Sequence, residues 1–186
     1  MSYSKELEAL HMMQQIYASL FSVTNKVQVQ GDCYFNGLTA RQFLTLLAIL
    51  HLPEDETTFK NIAMKLGTTK QNISSLVSSL KEKGVVTLKP SKLDKRANNV
   101  LVTERGKDIL LSCGKASIYF MADIFQKFTH EELKTFWTLL QKLYQFDGVS
   151  QSGLEEDVSC KLDQAVTNDY LEALEYFKWR REQNGV

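Results

Sequence analysis

Residues 58–83 read TFKNIAMKLGTTKQNISSLVSSLKEK, and this stretch decides the fold. Its apolar positions predict two short helices, of which the first ends at Gly67 and the second begins at Thr68. The small Ala63 lets the two helices cross closely, Gly67 permits the tight turn, and Ile73 fills the angle between them. These offsets are typical of a helix-turn-helix.

The second of these helices has one apolar and one polar face. The apolar face consists of Ile73, Leu76, Val77 and Leu80, and the outward face consists of Thr69, Lys70, Gln71, Asn72, Ser74, Ser75 and Ser78. Short hydroxyls and amides approach base edges in a major groove closely. A solvent-exposed helix more often carries Glu and Lys, which form helices better than the four serines at 74, 75, 78 and 79. We therefore interpret the polar face as a DNA-reading surface, with a merely solvated face as the alternative.

A β-hairpin is predicted after the second helix. Gly84 is a helix-stop signal, and Val85–Lys89 and Val100–Val102 have the composition of strands. The polar segment Pro90–Asn99 joins them as an extended, basic loop. A loop of this kind after a helix-turn-helix is similar to the wing of a winged helix.

The loop of this hairpin has the charges expected of a DNA contact. Lys92 and Lys95 are expected to bind phosphates. Arg96 near the tip is expected to enter a minor groove, because a narrow groove strengthens the attraction for a guanidinium. Asp94 is interpreted as a support that holds the wing and Arg96 in place, rather than as a catalytic group.

The net charge of the chain is zero, which on its face argues against a nucleic-acid partner. The charge is unevenly distributed, however. Residues 57–107 contain 11 basic and three acidic side chains, a net of +8, so the remainder of the chain carries −8. This asymmetry favours a polyanion as the partner of the middle segment. A solvated lysine-rich face is the alternative that charge alone leaves open.

Helical periodicity dominates the chain on either side of this motif. A long N-terminal helix is expected to end before a connector at Val27–Asn36, which contains Gly31. Capping boxes predict helix starts at Thr39, Thr68 and Thr129. The helix that follows the hairpin is expected to end near Phe128.

Composition excludes several classes of protein. Nine Gly and two Pro rule out collagen-like and Pro-rich disordered chains, and no apolar run is long enough for a membrane span. The N-terminus has no signal-peptide pattern, so we expect a cytoplasmic protein with reduced thiols. The sequence has no Gly-rich phosphate loop, paired metal ligands or nucleophile elbow, and its three Cys lack metal-site spacing. We therefore expect no enzyme activity, no cofactor and no metal.

The order of these motifs resembles the MarR family of winged helix-turn-helix transcription regulators. The residues that carry the resemblance are, in order, Leu38-Thr39-x-x-Gln42, the helix-turn-helix, Gly84 with its strand, Asp94-Lys95-Arg96 and Leu101-Val102-Thr103-x-x-Gly106. The nine-residue step from Asp94 to Thr103 matches the family's wing, with its D-x-R motif and the T-x-x-G that starts the next helix. The resemblance covers about residues 5–146.

The resemblance implies a mainly α fold, with a winged helix-turn-helix DNA-binding lobe and long N- and C-terminal helices that form a dimerisation region. It implies a ligand-responsive repressor that binds a pseudo-palindromic, double-stranded DNA operator as a homodimer. It places Gln71, Ser74 and their neighbours in the major groove and Arg96 in the minor groove. The implied division is 1–37 for the N-terminal dimerisation helix and connector, 38–103 for the DNA-binding lobe, 104–146 for C-terminal dimerisation helices and 147–186 for an acidic helical extension beyond the family's usual length.

Three further hypotheses concern regulation and partners. As in related regulators, a small aromatic or lipophilic effector is expected near Tyr17, Phe21 and Phe43, although aromatic residues at helical spacing are more often core. Oxidant sensing through Cys33 is an alternative, but the adjacent Asp32 disfavours the thiolate. A winged-helix protein-interaction module without DNA binding is another, and the serine-rich face and the cations of the wing argue against it.

The acidic extension has two open interpretations. Its apolar residues recur at near-helical steps, so the extension is expected to pack on the dimerisation helices through Leu162, Val166, Tyr170, Leu174 and Phe177. Alternatively, its nine acidic and four basic side chains, a net of −5 from Asp147 onward, temper DNA affinity or dock a partner.

Overall fold

The computed structural model describes residues 3–35, 37–148, 154 and 168–185. Helices dominate this part of the chain, and its one sheet has two antiparallel strands. The elements are α1 (Ser4–Asp32), α2 (Ala40–Leu50), α3 (Phe59–Lys65), α4 (Lys70–Glu82), β1 (Val86–Pro90), β2 (Asn98–Val102), α5 (Glu104–Ile124), α6 (His130–Tyr144) and α7 (Asn168–Glu182). A mainly α architecture with a helix-turn-helix and a hairpin confirms the predicted fold class. None of the described helices combines the length and the apolar character that a membrane crossing requires.

The core lies where α2, α3, α4 and the hairpin meet. Its largest fully buried side chains include Leu46, Ile62, Ile73, Leu80 and Val100. Helices α3 and α4 pack together, Ala63 of α3 is buried, and Gly67 between the two helices adopts a positive φ of 59°. Ile73 is completely buried, as its predicted place between the two helices requires. The helix-turn-helix is therefore held by the three residues that the sequence singled out.

The hairpin is longer than the sequence predicted. β1 pairs with β2 from Val86↔Val102 to Pro90↔Asn98, so β2 begins at Asn98 rather than at Val100. Backbone pairing extends through the polar residues 98 and 99 because ladder hydrogen bonds do not depend on side-chain polarity. Thr58, just before α3, also bridges Asn99 and connects the hairpin to the helix-turn-helix.

The predicted connector at Val27–Asn36 is wrong in its first part, because α1 continues to Asp32. Gly31 does not end the helix but lets it approach α2 and α5. A Cβ at this position would lie 2.9 Å from Ala40 Cβ and 3.1 Å from Phe120 Cζ. Gly31 is thus a packing glycine inside a helix rather than a turn residue.

Helix starts follow the capping signals closely, with one shift. The capping boxes at Thr39 and Thr129 are both present. The cap of α4 is Thr69 rather than Thr68, since the Thr69 hydroxyl accepts the Asn72 backbone N–H at 3.2 Å. The Thr68 hydroxyl instead accepts from the Asn72 side-chain amide at 3.1 Å. At the other end of the chain's long central helix, α5 ends at Ile124 rather than near Phe128.

The C-terminal helix α7 packs along α5. Ala173 is completely buried in this contact, and the Tyr170 hydroxyl donates to the Leu111 carbonyl at 3.2 Å. Contrary to the prediction, Leu174 is half exposed, since the contact with α5 is made by other residues of α7, among them Tyr170 and Ala173. The predicted packing residues Leu162 and Val166 lie outside the described residues.

Candidate nucleic-acid interface

Helix α4 presents the predicted polar face to solvent. All seven residues proposed for the major groove are exposed: Thr69, Lys70, Gln71, Asn72, Ser74, Ser75 and Ser78. Some of these side chains already make hydrogen bonds, since Thr69 caps the helix and the Ser75 hydroxyl donates to the Gln71 carbonyl at 3.3 Å. Within the described part of the chain, the side-chain amide of Gln71 makes no hydrogen bond. That amide is therefore available for a base edge.

The opposite end of α4 is fixed by Gln42, a residue that the sequence suggested only as a helix cap. Gln42 is almost completely buried, and its Nε2 donates to Ser79 Oγ at 2.9 Å. Its Oε1 accepts from Lys83 Nζ at 2.9 Å and from the Thr39 backbone N–H at 3.1 Å. Ser79 is therefore a structural serine, which corrects its inclusion among the serines of a contact surface. In the sequence, the available signal for this structural role was an amide side chain among the apolar residues of α2.

The wing is a tight loop with exposed cations. Lys92, Lys95 and Arg96 all lie at the surface. Asp94 Oδ1 accepts the backbone N–H of Arg96 at 2.9 Å, and the Asp94 carbonyl accepts from the Ala97 N–H at 2.9 Å. Asp94 thus stabilises the backbone that carries Arg96, while the guanidinium itself extends into solvent.

One cleft connects helix α4 with the wing. Lys70, Gln71 and Ser74 line one side of it, and Asp94 and Arg96 line the other. The structure therefore brings together residues that the sequence assigned to two separate DNA contacts. The other proposed contact residues are exposed but lie outside this cleft: Thr69, Asn72, Ser75, Ser78, Lys92 and Lys95.

The same cleft contains residues that the sequence did not assign to the site. Lys60 adds a cation, whereas Asp55 and Glu56 bring two carboxylates close to the reading surface. Two hydrogen bonds hold the loop that carries these carboxylates. Asn99 Nδ2 donates to the Asp55 carbonyl at 3.0 Å, and Asn61 Nδ2 donates to the Glu56 carbonyl at 2.8 Å. Carboxylates at such a place repel phosphate and accept from the amino group of cytosine. The signal available in the sequence was the acidic run at residues 54–56.

A second cavity of about 480 Å³ lies between α2, the hairpin and the start of α5. Its lining is mainly apolar and includes Leu47, Leu50, Leu52, Val100, Val102 and Leu110, while Lys89, Lys107, His51 and Glu54 supply polar groups. The predicted effector residues lie elsewhere. Tyr17 and Phe21 pack edge to face on an exposed side of α1, with ring centroids 5.1 Å apart. Phe43 is buried and stacks on Phe35 with centroids 4.4 Å apart.

The described cysteines differ in accessibility. Cys33 is exposed, and its Sγ lies 3.6 Å from the Val29 carbonyl. Burial encloses the Cys113 thiol and raises its pKa, which disfavours the reactive thiolate. Cys160 lies outside the described residues. In the part of the chain that the structure describes, no three side chains of His, Cys, Asp or Glu cluster as metal ligands would.

Comparison with known proteins finds that part of this chain is similar in sequence to known regulators. Residues 36–97 match the sequence profile of the MarR family. The transcriptional repressor YetL of Bacillus subtilis (strain 168) is 23% identical over 133 residues, which span 70% of this chain and 80% of YetL.

Two solved structures share the fold at low sequence identity. The complex of Staphylococcus aureus MepR with DNA has a TM-score of 0.62 at 20% identity, over 69% of this chain and 96% of MepR. The organohalide-sensing regulator RdhR, bound to 2,4-dichlorophenol, has a TM-score of 0.68 at 16% identity, over 82% of this chain and 94% of RdhR. At these identities the likeness is one of fold.

Proposed function

We propose that the chain is a winged-helix transcription regulator of the MarR family, and that it is a repressor that binds a pseudo-palindromic operator as a homodimer and responds to a small effector. The observation that carries the proposal is the cleft that joins Gln71 and Ser74 of α4 to Arg96 of the wing. An amide, a hydroxyl and a guanidinium in one exposed cleft provide base-edge and groove contacts together. Two similar proteins support this assignment, since YetL is named a repressor and the structure of MepR is a complex with DNA.

The dimer is supported by apolar surface that the single chain leaves uncovered. Leu7, Met13, Tyr17 and Phe21 on α1 are each 60% to 66% exposed. Helix α6 has no buried residue, although its apolar side chains form one face: Phe136, Trp137, Leu139 and Leu143. Contiguous apolar faces of this size mark interfaces. We assign them to a second copy of the chain, which would also cover the aromatic pair first expected to bind an effector.

An effector site is proposed in the cavity of about 480 Å³ between α2, the hairpin and α5. This volume lies within the range of roughly 300 to 1,000 Å³ that is typical of small-molecule sites. The apolar lining suits an aromatic or lipophilic body, and the nearby ammonium groups of Lys89 and Lys107 suit an acidic substituent. The binding of 2,4-dichlorophenol by RdhR supports a ligand of this kind.

Redox regulation through Cys33 is the second candidate. The exposure of its thiol favours access by an oxidant. Within the described residues, however, the other free cysteine, Cys113, is buried, whereas sensor cysteines often have an accessible second thiol nearby. We therefore rank the effector cavity first.

The proposal is tested by binding of the full-length protein to duplex DNA. Fragments selected by the protein from a random duplex library, and its own upstream region, are measured by fluorescence anisotropy over a series of salt concentrations. We expect sequence-dependent binding whose affinity falls steeply with salt. Binding to no duplex, with the protein folded and dimeric, would favour the protein-interaction module instead.

A matched pair of variants makes the test specific. Arg96→Ala removes a cation of the proposed interface, while Lys134→Ala removes a cation of α6 that pairs with Glu131 at 3.0 Å. Only the first is expected to weaken DNA binding. Equal behaviour of the two variants would show that the wing takes no part.

A further inference from the structure

Helix α7, in the C-terminal extension, supplies donors to a cluster of hydrogen bonds around the carboxylate of Asp123. Oδ1 of this carboxylate accepts from Arg180 Nε at 2.9 Å and from the Tyr176 hydroxyl at 3.1 Å, both on α7. Oδ2 accepts from the Tyr34 hydroxyl at 2.5 Å. Burial raises the pKa of Asp123, but the hydrogen bonds from Tyr34, Arg180 and Tyr176 lower it further than burial raises it. The carboxylate is therefore charged at neutral pH, and two of its three donors come from α7.

The third donor belongs to the junction between α1 and the DNA-binding lobe. Tyr34 follows the end of α1, and its ring lies against Phe120 of α5 with centroids 5.2 Å apart. Two residues before it, Asp32 Oδ1 accepts the Ala40 backbone N–H, the first of α2, at 2.6 Å. The Asp123 cluster thus joins α5, α7 and the connection into the lobe at one point.

Hydrogen bonds connect this junction to helix α4 and to the hairpin, so a movement of the junction also moves these elements. Helix α2 is tied to α4 by the hydrogen bond between Gln42 and Ser79. Helix α5 starts at the end of the hairpin, where the Thr103 hydroxyl caps it and donates to the Gly84 carbonyl at 2.7 Å. The lobe is therefore held at two places, by α1 and by α5, and Asp123 links the two.

We propose that α7 is a brace that sets the angle of the DNA-binding lobe, and that Asp123, Tyr176 and Arg180 are positioning residues for operator binding. The inference rests on the proposed function, since it concerns a dimer that presents two recognition helices. Two half-sites are contacted together only when the helices have the spacing of the DNA turn. Without α7, the Asp123 carboxylate retains only the hydrogen bond from Tyr34. Water must then replace the two lost donors, and this hydration opens the junction between α1 and the lobe.

The experiment uses the full chain with Tyr176→Phe and Arg180→Ala combined. Hydrogen–deuterium exchange of residues 168–182 reports whether α7 is docked. Affinity is measured for a selected two-half-site duplex and for an unrelated duplex of the same length. We expect faster exchange in α7 and a loss of about 5- to 150-fold on the two-site duplex, the usual range for coupling between sites, with the unrelated duplex unaffected. The matched control is Lys178→Ala, because Lys178 is 78% exposed on the same helix.

A second variant disturbs the contact between α5 and α7 without touching the Asp123 cluster. A Cβ at Gly114 would collide with the hydroxyl of Tyr170, and alanine favours the helical conformation of α5. Gly114→Ala is therefore expected to give the same loss on two-site DNA with α5 still folded. An undocked α7 with unchanged two-site affinity overturns the brace. An equal loss on both duplexes also contradicts it, whereas a wild-type protein that binds no duplex overturns the proposed function.

Discussion

Gln42 Nε2 donates a hydrogen bond to Ser79 Oγ at 2.9 Å, although the two residues are 37 positions apart. The oxygen of the same amide group, Gln42 Oε1, accepts from Lys83 Nζ and completes the capping box of α2. One buried side chain therefore determines where α2 begins and how the recognition helix α4 lies against it. The orientation of the reading surface depends on a residue that contacts no DNA in the proposed complex.

Gln42→Ala is expected to lower the free energy of unfolding by about 2 kcal/mol. The loss of a capping side chain costs roughly 0.5 to 2 kcal/mol, and a buried partner left without its hydrogen bond costs roughly 1 to 3 kcal/mol. Urea denaturation measures the change. Ser78→Ala on the exposed face of α4 is the control and should stay within about 0.5 kcal/mol of wild type. Equal stability of the two variants would show that the Gln42 contacts are not stabilising.

The local part of the fold was predictable from sequence because its causes are local. Ala63, Gly67 and Ile73 act within one helix pair, and the caps at Thr39 and Thr129 act within one turn. Gly31 was misjudged because its partners, Ala40 and Phe120, come from other elements. A glycine that permits a turn and a glycine that permits close packing have the same letter, and only the tertiary contacts distinguish them.

The candidate site was predictable residue by residue but not as a surface. Helical periodicity placed Gln71 and Ser74 outward, and the charge pattern indicated Arg96. The cleft that unites them depends on how the hairpin folds back beside α3, which a sequence pattern does not specify. For the same reason Asp55 and Glu56 could not be placed in it.

Arg96→Ala is expected to weaken binding to all duplexes and to lower the slope of log K against log salt by about 0.9, the contribution of one neutralised phosphate charge. The backbone of the wing should persist, because Asp94 binds the Arg96 N–H rather than its guanidinium. Anisotropy titrations at several salt concentrations measure the slope. A slope identical to that of wild type would remove Arg96 from the interface.

Gln71→Ala is expected to act differently, through base preference. Its amide makes no hydrogen bond within the described residues, so the substitution removes a base contact without disturbing the fold. Discrimination at one base position should fall by about 1 to 3 kcal/mol, with the salt slope unchanged. Binding to duplexes substituted one position at a time measures this, and a uniform loss at all positions would contradict a reading role.

Acidification is expected to undock α7. Hydrogen bonds lower the pKa of Asp123 in the folded chain, so its contribution is present above the unfolded pKa of about 3.9 and is lost as pH falls through the folded value. Hydrogen exchange of α7, corrected for intrinsic rates, should therefore be constant near neutrality and rise in acid. Because Glu172 of α7 pairs with Lys115 of α5 at 3.2 Å across the same contact, the measurement is made in Glu172→Gln. In that background, Asp123→Asn should abolish the pH dependence of exchange in α7. If the pH dependence persists in this variant, another titrating group causes it.

Filling the cavity beside the hairpin is expected to separate effector response from DNA binding. Leu50 is partly buried and lines the cavity, so Leu50→Phe adds volume where space exists and should fold normally. With benzoate and 2,4-dichlorophenol as probes, the wild-type melting temperature should rise as the ligand binds the folded state, and DNA should be released. Leu50→Phe should lose both responses while it retains DNA affinity. Met64→Phe, at an exposed position of α3, is the control, and an unchanged response in Leu50→Phe would place the effector elsewhere.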